Sequence, residues 1–363
     1  MNSWKKHIWV LLACLPAFLS AQEASGTLKS LRGQAVLERE GNKRPARAGE
    51  PLFPRDRIQT GADGVASVGF RDQSSLTIGP NSDVDLSKFS FNPTTHQGEQ
   101  QVRVRSGSLA AISGKVAKAS PESVQFNAGS VTLGVRGTQF LVEVQTAAPP
   151  SNAMLWRDAQ QQILRSATGL CWQSGTSPSG CPTEPEPDRF VLLPDRDGQV
   201  GAITLRSQGQ SVEVREAYAG VEARDRGISS TRFSQSFVDG RYNALLANLP
   251  PSPKNFVLRF ATGSATQLTP DSLAILEKVR AELVNWPVVP NVDVIGHTDT
   301  AGRAEQNDAL SLQRAKAVSR LLDSAGLSAD RLQVSGRGER QLLVPTPDET
   351  PEPRNRRVEI TVY

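Results

Sequence analysis

The sequence predicts a multidomain chain: an all-β N-terminal domain, a small β-rich middle module, and a C-terminal α+β sandwich of order β-α-β-α-β-β. Three observations carry this. Short alternating runs separated by turn residues fill residues 26–146. A stiff Pro250-Pro251-Ser252-Pro253 stretch closes a second β-rich region, residues 147–249. Beyond it, over residues 254–363, short apolar strands alternate with two runs of helical period.

The N-terminus reads as a targeting segment. Lys5 and Lys6 precede an apolar run from Ile8 to Leu19, and the small residues Ser20 and Ala21 follow. A charged start, an apolar middle and a small-residue end make residues 1–21 a secretory signal peptide, with cleavage after Ala21. The run is about a dozen residues, too short to span a bilayer as a helix. It lacks the polar stripe of a buried amphipathic helix. Leu11-Leu12-Ala13-Cys14 resembles a lipobox, an alternative route that would lipidate Cys14, although the apolar segment before it is short for that. No other stretch is long and apolar enough for a transmembrane helix.

The formal charge is +4 and falls to +2 once Lys5 and Lys6 leave. Such a balance argues against a nucleic-acid or anionic-membrane binder. Outside the signal segment two cysteines remain, Cys171 and Cys181, bracketing a polar loop. In an exported chain a close pair reads as a disulfide. The spacing is too wide for a C-x-x-C redox or metal pair. A loop of this size contributes roughly 2–3 kcal/mol in the chain-entropy picture. Thiol titration of the denatured, unreduced protein should find neither sulfur free; two reactive thiols would refute the bridge.

In the first domain the clearest strands are Ala35-Val36-Leu37, Val65–Phe70, Ser75–Ile78, Val102-Arg103-Val104 and Gln139–Val144, with turn signals at Gly61-Ala62-Asp63-Gly64, Gly79-Pro80-Asn81-Ser82 and Gly107. In the middle region Thr183–Asp188 is a Pro-rich acidic loop. Val191–Leu193 and Gly201–Leu205 flank an Asp-Gly turn and read as a hairpin, which Ser211–Val214 extends. In the last domain Phe256–Phe260, Val292–Gly296, Leu332–Val334 and Arg357–Val362 read as strands. A helix starts near Pro270, with Leu273, Leu276, Val279 and Leu283 on its packing face. A second runs from about Glu305 to Ala325 through Leu310, Val318, Leu321 and Leu322.

Four pieces of the first domain occur in the order of a known family: Arg57–Gly61, Phe70–Ser82, Val102–Leu109 and Val131–Phe140. The segment resembles the FecR-like domain family. That family includes periplasmic halves of transmembrane regulators, but this chain shows no spanning or cytoplasmic segment, so the resemblance implies a β-rich periplasmic contact module and not the regulatory activity. Gly134 and Gly137 permit turns or bulges. Arg136 between them reads as an internal ion-pair partner or a contact to an acidic partner.

The last domain carries Gly296-His297-Thr298-Asp299-Thr300-Ala301-Gly302, Asn307–Ala315, Leu327–Leu332, Gly336-Arg337-Gly338-Glu339 and Arg354–Ile360. It resembles the OmpA-like peptidoglycan-binding domain family over nearly all of its length. Stem peptides with diaminopimelate present an ammonium and a carboxylate on one carbon, so a complementary site needs a fixed anion and a bidentate cation. The resemblance implies that Asp299 and Arg314 are the two principal ligand contacts and that Asn307 and Leu310 line the pocket. Asn307, Leu310, Ser311 and Arg314 share one helix face by spacing. From the residues alone, a structural Asp299–Arg314 salt bridge is the competing reading. Where many relatives have an Asp-rich turn this chain has Ala261–Thr266, leaving Thr262 or Ser264 as donors. His297 reads as packing or solvent contact, and Asn355-Arg356-Arg357 as organising the last strand, with one of its guanidinium groups as a candidate contact at the ligand's edge.

No G-x-S-x-G, H-E-x-x-H or Walker loop is present, and His7 leaves with the signal while His96 has no partner at ligand spacing. The expectation is a non-enzymatic protein without cofactor or metal, in the periplasm and associated with peptidoglycan or the outer membrane. It would bind peptidoglycan through its last domain and another envelope component through its FecR-like domain. The alternatives are a periplasmic signalling accessory and, since acidic residues are plentiful enough for a glycosidase pair, a wall hydrolase.

Overall fold

The computed structural model describes residues 23–145, 165–166, 169–170, 186–225, 227–261, 264, 266–323 and 331–363. The signal segment, Cys14, Cys171, Cys181 and Thr262 lie outside the described residues.

The first domain is built on two sheets that share one long strand. Sheet A runs in the order β4 (Pro51–Leu52), β1 (Gly26–Arg32), β6 (Val65–Phe70), β7 (Ser75–Ile78), β9 (Gly98–Ile112), β12 (Gln139–Val144), β15 (Asp188–Leu193), β18 (Ala219–Arg224), β19 (Gly227–Arg232). Sheet B runs β3 (Asn42–Pro45), β2 (Ala35–Arg39), β5 (Arg57–Thr60), β8 (Asp83–Phe91), β9, β10 (Val124–Ala128), β11 (Val131–Arg136), β16 (Ala202–Ser207), β17 (Gln210–Val214). A two-residue pair, β13 (Arg165–Ser166) and β14 (Gly169–Leu170), stands apart.

Strand β9 changes sheets at Gly107. Residues up to Ser106 pair with β8 and those from Gly107 onward pair with β12. Gly107 has φ +86°, and a Cβ there would lie 2.2 Å from Ser82 Oγ, so only glycine fits the corner. The expected strands of this domain all form. A five-residue helix, α1 (Lys115–Ala119), is added where no periodicity announced one. Its start is fixed by buried Asp72, whose carboxylate accepts from Val116 N while its carbonyl accepts from Lys115 N.

The strands of the middle region do not build a core of their own. β15 joins β12 in sheet A, β16 joins β11 in sheet B, and Phe190, Leu192, Ile203, Leu205 and Val221 enter the same core as Leu28, Phe70 and Phe140. The expected hairpin of residues 191–205 is therefore not formed. The Asp195–Gln199 turn is present, with Gly198 N donating to Asp195 O. It links strands of different sheets because each finds an open sheet edge left by the first domain. β17 does pair with β16, as expected. Two short helices, α2 (Gln235–Arg241) and α3 (Asn243–Leu246), then cover part of sheet A through Val238, Tyr242 and Leu245.

The C-terminal domain has the expected order: β20 (Lys254–Arg259), α4 (Pro270–Asn285), β21 (Val292–Gly296), α5 (Ala304–Asp323), β22 (Leu332–Gly336), β23 (Arg357–Val362). The sheet order is β20-β23-β21-β22, with β21 and β22 parallel. Thr269 caps α4 by accepting from Ser272 N at 3.3 Å, with Pro270 at its first turn. Leu276, Val279 and Leu283 are buried against the sheet, but Leu273 is 51% exposed and does not belong to the packing face. Among the described residues no helix is long and apolar enough to cross a membrane, which says nothing of strands.

Both sheet faces of this domain are covered. Val292, Val294, Val358, Ile360 and Val362 pack under the helices. The alternate residues Asp293, Gln333 and Tyr363 face the first domain. Asp293 is 1% exposed and accepts from Lys115 Nζ (2.8 Å), Gln73 Nε2 (2.7 Å) and Tyr363 Oη (3.1 Å). Lys29, 2% exposed, lies across Gly69 and donates to Tyr363 O at 2.7 Å. Burial pushes its ammonium well below the usual lysine range, with Arg331 adding to the shift and Asp293 opposing it. Arg337 meets His96 and the Pro93 carbonyl, and Arg196 holds the proline stretch through Ser252 Oγ (2.6 Å) and Pro250 O (2.5 Å).

Candidate functional site

Two glycines set the frame. Gly296 and Gly336 end the parallel strands β21 and β22 side by side. A Cβ on Gly296 would lie 1.9 Å from the Ser311 carbonyl oxygen, and one on Gly336 would lie 2.5 Å from Ser311 Oγ. Helix α5 therefore sits against the strand ends more closely than any side chain permits. Asn307, Ser311 and Arg314, buried on one face of α5, come beside the loop 297–302; Leu310 is half-buried at the edge.

That loop is fixed from two sides. Asn307 Nδ2 donates to Asp299 O (3.3 Å), Ala301 O (3.2 Å) and Glu339 Oε2 (2.7 Å). From the other side, Thr300 Oγ1 donates to Pro347 O at 2.6 Å, Glu349 N donates to Thr300 O at 2.8 Å, and Gly302 N donates to Glu349 Oε2 at 3.1 Å. Asp299, 6% exposed, is thereby held with its Oδ2 accepting from Glu352 N (3.1 Å) and from the Arg356 guanidinium (2.9 Å).

Arg314 is 5% exposed and nearly unsatisfied. Its Nη1 is 3.5 Å from the His297 carbonyl, its Nε has no acceptor among the described residues, and its guanidinium carbon stands 5.5 Å from the centre of the Phe260 ring. Burial pushes its pKa down, with Arg356 adding to the shift and Asp299 opposing it. The ion pair of Asp299 is with Arg356, so the structural Asp299–Arg314 bridge is not formed. The Asp299 carboxylate thus stands between two guanidinium groups and pairs with one of them. A buried guanidinium short of acceptors is a place for an incoming anion.

Sequence reasoning gave Arg356 no part in fixing Asp299; Asn355 and Arg357 do organise the chain, through Val344 and Gln341. Its nearness to Asp299 depends on the return of the chain over residues 346–356, for which the sequence carries no periodic signal. Ser264 is committed to a turn, accepting from Thr266 N and Gln267 N. Among the described residues no group of His, Cys, Asp and Glu is arranged to hold a metal.

His297 is fully buried, and among the described residues neither ring nitrogen has a hydrogen-bond partner; the burial removes the solvent-contact reading. Burial, then Arg357, pushes it down to about 4, while Glu359 opposes the shift. Its folded pKa lies below the ordinary 6.5, so its contribution to stability is complete above pH 6.5. As pH falls from 6.5 towards 4 the unfolded chain takes up a proton that the folded chain refuses, and about 3 kcal/mol is lost. Urea unfolding at pH 7 and pH 4.5 should show a smaller acid loss for His297→Phe than for wild type. Equal losses would exclude this histidine as the source.

Residues 259–356 match the family model described as OmpA family, and residues 56–155 match the one described as FecR protein. This chain joins a FecR domain to an OmpA-family domain. Over 154 residues it is 31% identical to the probable lipoprotein YiaD of Escherichia coli (strain K12), covering 42% of this chain and 64% of that protein. Over 123 residues it is 33% identical to outer membrane protein A of Shigella flexneri, covering 32% of this chain and 35% of that one. The chain thus spans less than two thirds of the length of these relatives. A crystal structure of the peptidoglycan-associated lipoprotein from Burkholderia pseudomallei aligns at 25% identity and a TM-score of 0.27, covering 34% of this chain and 98% of that one.

Proposed function

We propose that the chain is a non-enzymatic protein of the cell envelope, exported to the periplasm, that holds peptidoglycan through its OmpA-family domain. The ligand is the free end of diaminopimelate in a stem peptide. Asp299 takes the ammonium, Arg314 takes the carboxylate in its planar fork, Asn307 positions the Asp299 loop, and Leu310 borders the pocket. The observation that carries this is the buried Arg314 guanidinium, desolvated and short of acceptors beside a fixed carboxylate. The match of residues 259–356 to the OmpA family model supports it. The FecR domain then serves as the contact to another envelope component. Co-sedimentation with purified sacculi, comparing wild type with Asp299→Ala and Arg314→Ala, tests the wall site.

A further inference from the structure

Sheet A is covered on its outer side by α2, α3 and the OmpA-family domain, while the outer side of sheet B carries a row of charges. Strand register sets Lys43, Glu38, Arg57, Asp85 and Arg103 opposite one another on β3, β2, β5, β8 and β9. Their signs alternate, so the row is largely self-satisfied. Arg57 grips Asp83, with Nε to Oδ1 at 2.6 Å, and reaches Glu38 at 3.5 Å and Asp85 at 3.8 Å; Arg105 holds Asp85 at 2.8 Å.

Three charges are left over. Among the described residues Arg55, Arg103 and Glu40 make no ion pair, and all three line one hollow of about 510 Å³ together with Ser87 and Gly41. Two of them sit on strained turn tips. Arg55 has φ +74° and Glu40 φ +52°, a region that disfavours any residue with a Cβ. Glycine or asparagine is the ordinary choice at such positions, and strain of this kind concentrates at binding sites.

We propose that this hollow docks an acidic segment of a partner protein, with Arg55 and Arg103 taking carboxylates and Glu40 taking a cation. This rests on the reading that the FecR domain meets another envelope component, and it gives that contact a place. Guanidinium forks match planar carboxylates. The lining intersperses Arg55, Arg57, Arg103 and Arg105 with Glu38, Glu40 and Asp85, a pattern that suits a segment bearing both signs and mostly carboxylates better than a surface of phosphates alone.

The test uses the full chain carrying Asp299→Ala and Arg314→Ala, so that wall binding does not contribute. The probe is a fluorescein-labelled peptide, Glu-Glu-Lys-Glu-Glu, followed by anisotropy at low salt. Saturable binding is expected, weakened about 10-fold or more by Arg103→Ala and by Arg55→Gly. Arg206→Ala, on an exposed arginine further along the same row of sheet B, should leave it unchanged. Glycine suits the left-handed turn, so Arg55→Gly should keep its thermal midpoint, and a loss of binding is then not a loss of fold. Absence of saturable peptide binding overturns the proposal, as does an equal loss with Arg206→Ala. Binding of phosphatidylglycerol vesicles without binding of the peptide overturns it in favour of a lipid surface. Sacculus binding by the unmodified chain is a separate measurement and stands or falls by itself.

Discussion

Arg314→Ala is expected to abolish co-sedimentation with diaminopimelate-containing sacculi while leaving the fold no less stable than wild type. Removing one partner of a desolvated charge pair costs about 2–5 kcal/mol of binding, about 30-fold or more in affinity. The stability half of the expectation comes from the surroundings of Arg314. Among the described residues this buried guanidinium has one 3.5 Å contact to a carbonyl, the face of Phe260 and an unpartnered Nε, which compensate its desolvation poorly. An apolar side chain of similar volume removes that cost, and Arg314→Met should unfold at a higher denaturant concentration than wild type while binding no better than Arg314→Ala. Asp299→Ala should also lose binding but should cost stability, since it orphans Arg356 and Glu352 N. Exchanging the two charges should not rescue binding, because a carboxylate at position 314 cannot offer a fork. Sacculi with lysine in place of diaminopimelate should bind poorly, lacking the second carboxylate. Wild-type affinity in the Asp299→Ala, Arg314→Ala double variant would mean that wall association runs through another surface.

The sequence made the C-terminal domain legible because its signals are local. Short apolar strands, a helix starting at Pro270, and an α5 face carrying Asn307 and Arg314 are each read within a dozen or so residues. Arg356 could not be placed in the same way, because its approach to Asp299 spans 57 positions and an irregular return. The middle region failed for a related reason. An Asp-Gly turn reports a local chain reversal, not which sheet edges lie open beside it, and β15 and β16 were drawn to different edges supplied by β12 and β11. Leu273 follows the helical period yet is exposed, because Ser272 takes the first place on the packing face ahead of Leu276, Val279 and Leu283. The acidic residue in Val292-Asp293-Val294 carried a signal that was available and unused. A charge in the middle of an apolar strand demands either solvent or a second layer over the sheet.

Here the second layer is the FecR domain, and Asp293→Ala is expected to loosen it. The carboxylate is 1% exposed and receives Lys115 and Gln73 from one domain and Tyr363 from its own. The phenol of Tyr363 is itself pushed well above its ordinary range, by burial and then by the charge of Asp293. Deleting the carboxylate takes the acceptor from the Lys115 ammonium and the Gln73 amide and leaves the Tyr363 hydroxyl a 3.4 Å contact to Arg71 O, a loss of about 3–5 kcal/mol for a buried ion pair broken on one side. That loss falls on the contact between the domains and not on either core, since the helices α4 and α5 pack on the opposite sheet face. Wild type should therefore unfold in urea in a single transition, and Asp293→Ala in two, the first at lower denaturant. Lys115→Gln should cost less alone and little more when added to Asp293→Ala, because the two act on one bond. X-ray scattering in solution should report a larger radius of gyration for Asp293→Ala, as the Lys29, Arg337 and Arg196 contacts are left to hold the domains together. A single transition at the wild-type midpoint, with unchanged scattering, would show that the domains do not depend on this carboxylate for their contact.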